Sequence, residues 1–447
     1  MIGLFPHCGF LSETSRMLAI HGALRAIGEP SCIVTHGGPW ECLLDAAGVD
    51  WVRLEPRMNA ARCARFIRDL PGIGLPDQSM YSDDEMLAHA RSEADFMRLR
   101  GIDMAVAGFT LTTLLSSRLA GIPLATSHAG SFVPPVFEAN LMPAPSRPVM
   151  PLFGLLPSGL QRRFMNWSPP RSNIYCAGFN RVARALGVEG VPSFAALLLG
   201  DLTLVTDVPE ILGVSAETLE SWSPHRGYRA GTTLRYSGPL YARLNLPVPE
   251  RVERFLDHGG PVAYVALTST SEALARGVIA AVLQTGLKVL VVSTVHDLAD
   301  LDGGRVLVER VLPSDRIMPR VAVAVIAGGQ GSVQTAVASG VPFAGIPLQP
   351  EQDLNVHLIQ RQGMALRVPP QSASSVAMTN AVRRLLDEPS YREHASRLRS
   401  IVAKVDGPAG AARAICRYLA DRRGVHRSSI DRVGHGELPT TCRNDAC

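Results

Sequence analysis

Six consecutive residues, Ala327, Gly328, Gly329, Gln330, Gly331 and Ser332, are of the type and spacing that hold phosphate. They follow an apolar run over 321–326 and open a helix-patterned stretch over 332–339. A strand feeding a glycine turn at a helix start aims exposed N–H groups at an anion. The helix dipole adds about 0.3–1 kcal/mol per favourable charge. Small residues let a ligand come close to the main chain. The element predicts a nucleotide ligand.

The elements around it must position it. Strand and helix patterns alternate over the first hundred residues: strands at 1–6, 31–35 and 52–54, helices at 13–27 and 40–47. Strands at 103–108, 123–126 and 202–206 continue the series. Alternation of this kind predicts a parallel sheet with helices on both faces. Residues 130–175 break the rhythm with prolines and aromatics. That segment reads as an acceptor-site lid, a membrane-surface helix or a packed excursion.

Turn and breaker residues cluster over 223–249, which reads as a linker. Beyond it, strands at 261–267, 288–293, 305–309, 321–326 and 343–347 alternate with helices. The chain therefore divides into 1–222, the linker 223–249, 250–423 and a tail 424–447 that is expected to be disordered.

Composition narrows the function. With 447 residues, 46% hydrophobic and 19% charged, the chain can fill more than one full core. A formal charge of +4 lacks the concentrated basic face of a nucleic-acid binder. The eight cysteines form no CxxC pair and no zinc spacing, so no metal site is expected. The first residues lack a signal-peptide pattern and no window spans a membrane, so a cytoplasmic protein is expected.

From residue 311 to 363 the sequence resembles the nucleotide-sugar glycosyltransferases of the GT-B fold. The resemblance is strongest to the bacterial family-1 branch that glycosylates natural products and lipids, including rhamnosyl-type enzymes. It rests on Val311 to Met318, the Ala327–Val333 loop, Gly340-Val341-Pro342, Pro347, Glu351-Gln352, Asn355 and Gly363. It implies two doubly wound Rossmann-like domains facing across a cleft. The N-terminal domain would take a small hydrophobic or lipid-like acceptor, the C-terminal domain a UDP- or dTDP-sugar. No cofactor or metal is implied. The protein would be a monomer or homodimer, with peripheral membrane contact open.

The resemblance also assigns residues. The loop from Gly328 to Ser332 would hold the diphosphate, with Ser269 and Thr270 nearby. Val311 and Ser314 would face the base, and Glu351 and Gln352 the sugar. Paired carboxylate and amide groups suit adjacent hydroxyls because each can accept or donate. Three positions depart from the pattern. Ala327 replaces a histidine that donates to the diphosphate, a type of loss that can cost about 10²–10³ in rate. Glu351 replaces Asp. Gly9-Phe10 stands where the family carries its general base after a glycine, and phenylalanine takes no proton. Glu13, His128 and His7 are the substitute bases, each near the carboxyl end of a strand. An acidic acceptor needing no base, a non-catalytic nucleotide-sugar binder and a sugar-nucleotide epimerase are the alternatives.

Overall fold

The structure is a computed structural model that describes residues 1–69, 80–244, 246–268 and 270–433, with the side chains described as far as 424. Two all-parallel sheets organise it. The first contains β1 (Ile2–Leu4), β2 (Ser31–Thr35), β3 (Trp51–Arg53), β4 (Met104–Ala107), β5 (Leu124–His128), β6 (Leu202–Val205) and β7 (Thr233–Tyr236). The second contains β8 (Val262–Ala266), β9 (Lys288–Val292), β10 (Val306–Glu309), β11 (Val323–Ile326), β12 (Phe343–Gly345) and β13 (Ala365–Arg367).

The central strands are short apolar runs because helices cover both faces. β1, β4, β6 and β11 are buried at every position, as parallel strands require. The orders are β3-β2-β1-β4-β5-β6-β7 and β10-β9-β8-β11-β12-β13. In each sheet the order reverses beside the first strand, where β1 pairs with both β2 and β4 and β8 with both β9 and β11. Doubly wound sheets bind ligands outside the carboxyl ends of the strands at this point.

Two boundaries differ from the sequence reading. β7 lies inside 223–249, so part of the presumed linker is the edge strand of the first sheet. It is only four residues long and flanked by breakers, as edge strands often are. The last helix, Gly407–Val433, also leaves the domain it follows. Its Ala411, Ala412 and Ile415 enter the core formed by Ile2, Leu4, Met17, Ile20 and Leu204. Ten positions expected to be disordered, 424–433, continue this helix. The remainder of the tail lies outside the described residues.

Candidate functional site

The glycine loop leaves β11 at Ala327, turns at Gly328 and enters the helix Gln330–Ser339. Gly328 has φ 91°, and a β-carbon there would lie 2.5 Å from Val356 Cγ2. Only glycine suits both conditions. The first turn of a helix cannot satisfy its own N–H groups. Gln330 N–H donates to Glu351 Oε1 at 3.2 Å, which leaves the N–H groups of Gly331 and Ser332 as the donors of this turn.

Glu351 and Asn355 share one face of the helix Pro350–Arg361 at an i,i+4 spacing. Asn355 Nδ2 donates to Glu351 Oε1 at 2.6 Å and to Gly328 O at 3.1 Å. This pins the loop from below. Burial pushes the Glu351 carboxyl from 4.5 up to about 7, against the smaller opposing pull of the Asn355 and Gln330 hydrogen bonds. A folded state that holds the proton more tightly is favoured at low pH. Stability from this group should be full below about 4.5 and lost as pH rises through about 7, on the order of 3 kcal/mol in all. Glu351→Gln should flatten that part of the melting-temperature profile between pH 5 and 8. An unchanged slope would sink the assignment.

The N-terminal domain meets this loop directly. Arg16, on the helix Leu11–Ala26, donates to Ser127 O at 2.5 Å and to Gln330 Oε1 at 3.2 Å. Gln330 Nε2 donates to Thr206 Oγ1 and to Thr206 O at 3.3 Å, and Gln334 Nε2 also bonds Thr206 O. A β-carbon on Gly331 would lie 4.0 Å from Ser12 Cβ, so the starts of two helices face each other. Further out, Asp353 accepts from Ser146 Oγ at 2.6 Å and pairs with Arg367 at 2.9 Å. Arg367 Nε reaches Ser146 Oγ at 2.7 Å.

Arg16 carries the positive charge of this junction. Its guanidinium lies 3.8 Å from Glu13 Oε2, and its field also reaches Asp207 and Glu351. The buried Arg16 Nε has no partner among the described residues. Glu13 Oε1 accepts from Gly108 N at 2.6 Å and Phe109 N at 3.0 Å. Glu13 follows β1 and Gly108 follows β4, so the carboxyl sits at the switch point of the first sheet. Burial raises its pKa above the usual range, with Arg16 and the two amides opposing.

The two histidines are placed differently. His7 is buried, its Nδ1 accepts from Gly9 N at 3.2 Å, and its ring stacks 4.3 Å from Phe66. Burial depresses it to about 3. His128 has Nδ1 2.9 Å from Ala129 O and Nε2 2.7 Å from Leu198 O. Burial depresses it to about 4, although those carbonyls favour the charged form. Both His128 nitrogens are engaged by main-chain carbonyls, whereas His7 Nε2 is buried and has no partner among the described residues. Of the three candidate bases, Glu13 is the one in contact with Arg16, which reaches the glycine loop at Gln330. Phe10 instead joins Phe66 and Phe109 in an aromatic cluster, 5.6 Å from the Phe109 ring centroid.

The other expected donor contacts divide. Ser314 Oγ lies 2.7 Å from Tyr264 OH at the mouth of the second sheet, with the half-buried Val311 before it. Thr270 Oγ1 donates to Leu267 O at 2.8 Å, inside its own turn. Ser269 lies outside the described residues. Gln352 is buried and its Oε1 accepts from Leu348 N at 2.8 Å, which braces the loop before its own helix. Arg16, Thr206 and Asp207 escaped the sequence reading. Arg16 alone left a signal there, three residues after Glu13 on one helix face.

Residues 220–409 match the family model described as UDP-glucoronosyl and UDP-glucosyl transferase. A PGL/p-HBAD biosynthesis glycosyltransferase of Mycobacterium tuberculosis is 25% identical over 299 residues, 66% of each chain. A PGL/p-HBAD biosynthesis rhamnosyltransferase of Mycobacterium bovis is 27% identical over 314 residues, 68% of this chain and 65% of that one. The match thus spans about two thirds of the length of these relatives. Among solved structures, the glycosyltransferase VinC in complex with dTDP superposes with a TM-score of 0.61 at 16% identity, covering 94% of this chain and 100% of that one.

Proposed function

We infer that this chain, with the two-domain GT-B fold and the UDP-glycosyltransferase module over 220–409, transfers a sugar from a nucleotide diphosphate to an acceptor hydroxyl with inversion. One observation carries the reading. The phosphate-type loop meets the first helix of the opposite domain where a buried carboxyl, Glu13, and a buried cation, Arg16, stand together.

In this reaction the acceptor oxygen attacks the anomeric carbon as the diphosphate leaves from the other side. Glu13 accepts the hydroxyl proton. The Gly331 and Ser332 N–H groups and the dipole of their helix meet the charge developing on the diphosphate. Arg16 supplies the positive donor that Ala327 cannot. Neither a metal nor a cofactor has a part in the proposal. The half-buried faces of Phe10 and Phe109 favour a hydrophobic acceptor, since concave sites are mostly apolar with few polar groups. UDP and dTDP sugars are the donors proposed, from the family match and the likeness to the dTDP-bound structure.

A second reading has one observation in its favour. Gln330 and Arg16 bridge the two domains across the donor loop, which also suits a protein that binds a nucleotide sugar without transferring it.

A melting panel with UDP-, dTDP- and GDP-sugars tests the donor. A ligand at a hundred times its Kd stabilises by about 2.7 kcal/mol. A rise with UDP- or dTDP-sugars and none with GDP-sugars is expected. No rise with any of them would sink the proposal, and a rise without transfer to any aromatic alcohol would favour the binding protein.

A further inference from the structure

We propose that the rim of the N-terminal domain over residues 147–171 docks on an anionic phospholipid bilayer. The inference goes beyond sugar transfer and does not depend on which sugar is moved.

Charge is the first observation. From 139 to 188 the chain has no Asp or Glu and six arginines, although the whole chain is nearly balanced at 44 basic and 40 acidic residues. Arg147, Arg162, Arg163 and Arg171 are all exposed. Apolar exposure is the second. Of the fourteen large hydrophobic side chains exposed among the described residues, seven fall between Val149 and Trp167. Leu152 is 77% exposed, Leu155 80%, Leu160 54% and Trp167 54%. Scattered single residues need no explanation, but a concentration of this kind marks a contact surface.

Backbone geometry is the third. Leu152 has φ 62°, a left-handed conformation that a branched apolar residue adopts only when its surroundings impose it. Beneath it Phe153 is buried and its ring meets Phe164 at 5.3 Å. The loop is anchored below while its leucines point outward. Arg171 lies over the Trp167 ring at 5.4 Å, a pairing suited to the headgroup layer, where indole rings and cations both sit.

Anionic lipid is the occupant this chemistry fits. A second copy of the chain would bring the same arginines face to face in a two-fold contact, and like charges oppose that pairing. A bilayer with acidic headgroups complements the arginines and accepts the leucines. No helix of the described residues is long and apolar enough to cross a membrane, so the contact would be a surface one. Ser146, at the edge of the rim, is bonded across to Asp353 and Arg367 of the opposite domain. Docking here would set the interdomain cleft beside the bilayer, where a lipid-like acceptor is found.

Vesicle co-sedimentation of the full chain tests this. Binding to vesicles rich in phosphatidylglycerol should exceed binding to pure phosphatidylcholine by about tenfold or more, and should weaken with salt. Arg162→Glu with Arg163→Glu should weaken it about fivefold or more for each charge changed. Leu152→Ser with Leu155→Ser should abolish the salt-resistant part. Both pairs are exposed, so unchanged melting temperatures verify folding, and either pair alone can decide. No binding, equal binding to both vesicle types, or a dimer in solution that the leucine variants disrupt would overturn the proposal.

Discussion

Glu13→Gln is expected to lower the transfer rate by about 10²–10⁴-fold, the usual contribution of a general base. The glutamine amide has nearly the carboxylate's shape, and its oxygen can still accept from Gly108 N and Phe109 N, now held at 2.6 and 3.0 Å. Folding and donor binding should therefore survive, and the change should fall on kcat. Burial raises the Glu13 pKa above the ordinary range. The base works only when ionised, so wild-type activity should climb with pH through that raised range, and the variant's profile should lose this limb. An acidic phenol as acceptor should narrow the gap, because it needs less help in losing its proton. A variant as fast as wild type toward an aliphatic alcohol would remove Glu13 from the mechanism.

Gly328→Ala is expected to have the larger effect on the fold of the site. At φ 91° an alanine costs about 1–2 kcal/mol from its own β-carbon. That carbon would also lie 2.5 Å from Val356 Cγ2, and overpacking of this kind costs about 1–3 kcal/mol more. A loss of about 2–5 kcal/mol should appear in denaturant unfolding. The melting shift with nucleotide sugars should vanish as well, because the loop can relax only by lifting from Asn355. Val356→Ala in the same chain should restore part of the stability by removing the clash, but not the backbone strain. Full stability in Gly328→Ala alone would mean that the turn is not built as described.

Much of this site was legible in the sequence because its parts are local. A buried strand, a glycine turn and a helix start are written in adjacent residues, and so is the Glu351–Asn355 pair at one helical turn. The candidate bases were harder to read. His7 and His128 have the right chemistry and lie at the right strand ends, but His128 is held by two main-chain carbonyls and His7 packs against Phe66. Titration depends on what surrounds a ring, which chain position does not record. Gln352 illustrates the same limit, since nothing in its chain position records that its Oε1 accepts from Leu348 N.

The sequence by itself determined two α/β units, their order and the glycine turn between β11 and the helix after it, since side-chain periodicity and backbone sterics act between near neighbours. Tertiary structure alone decided that Arg16 meets Gln330, 314 positions away, and that Glu13 meets Gly108, 95 positions away. It also decided that the last helix returns to the first sheet. Those contacts follow from how two sheets pack and cross over, a sum over many loops and interfaces that no short stretch of residues contains.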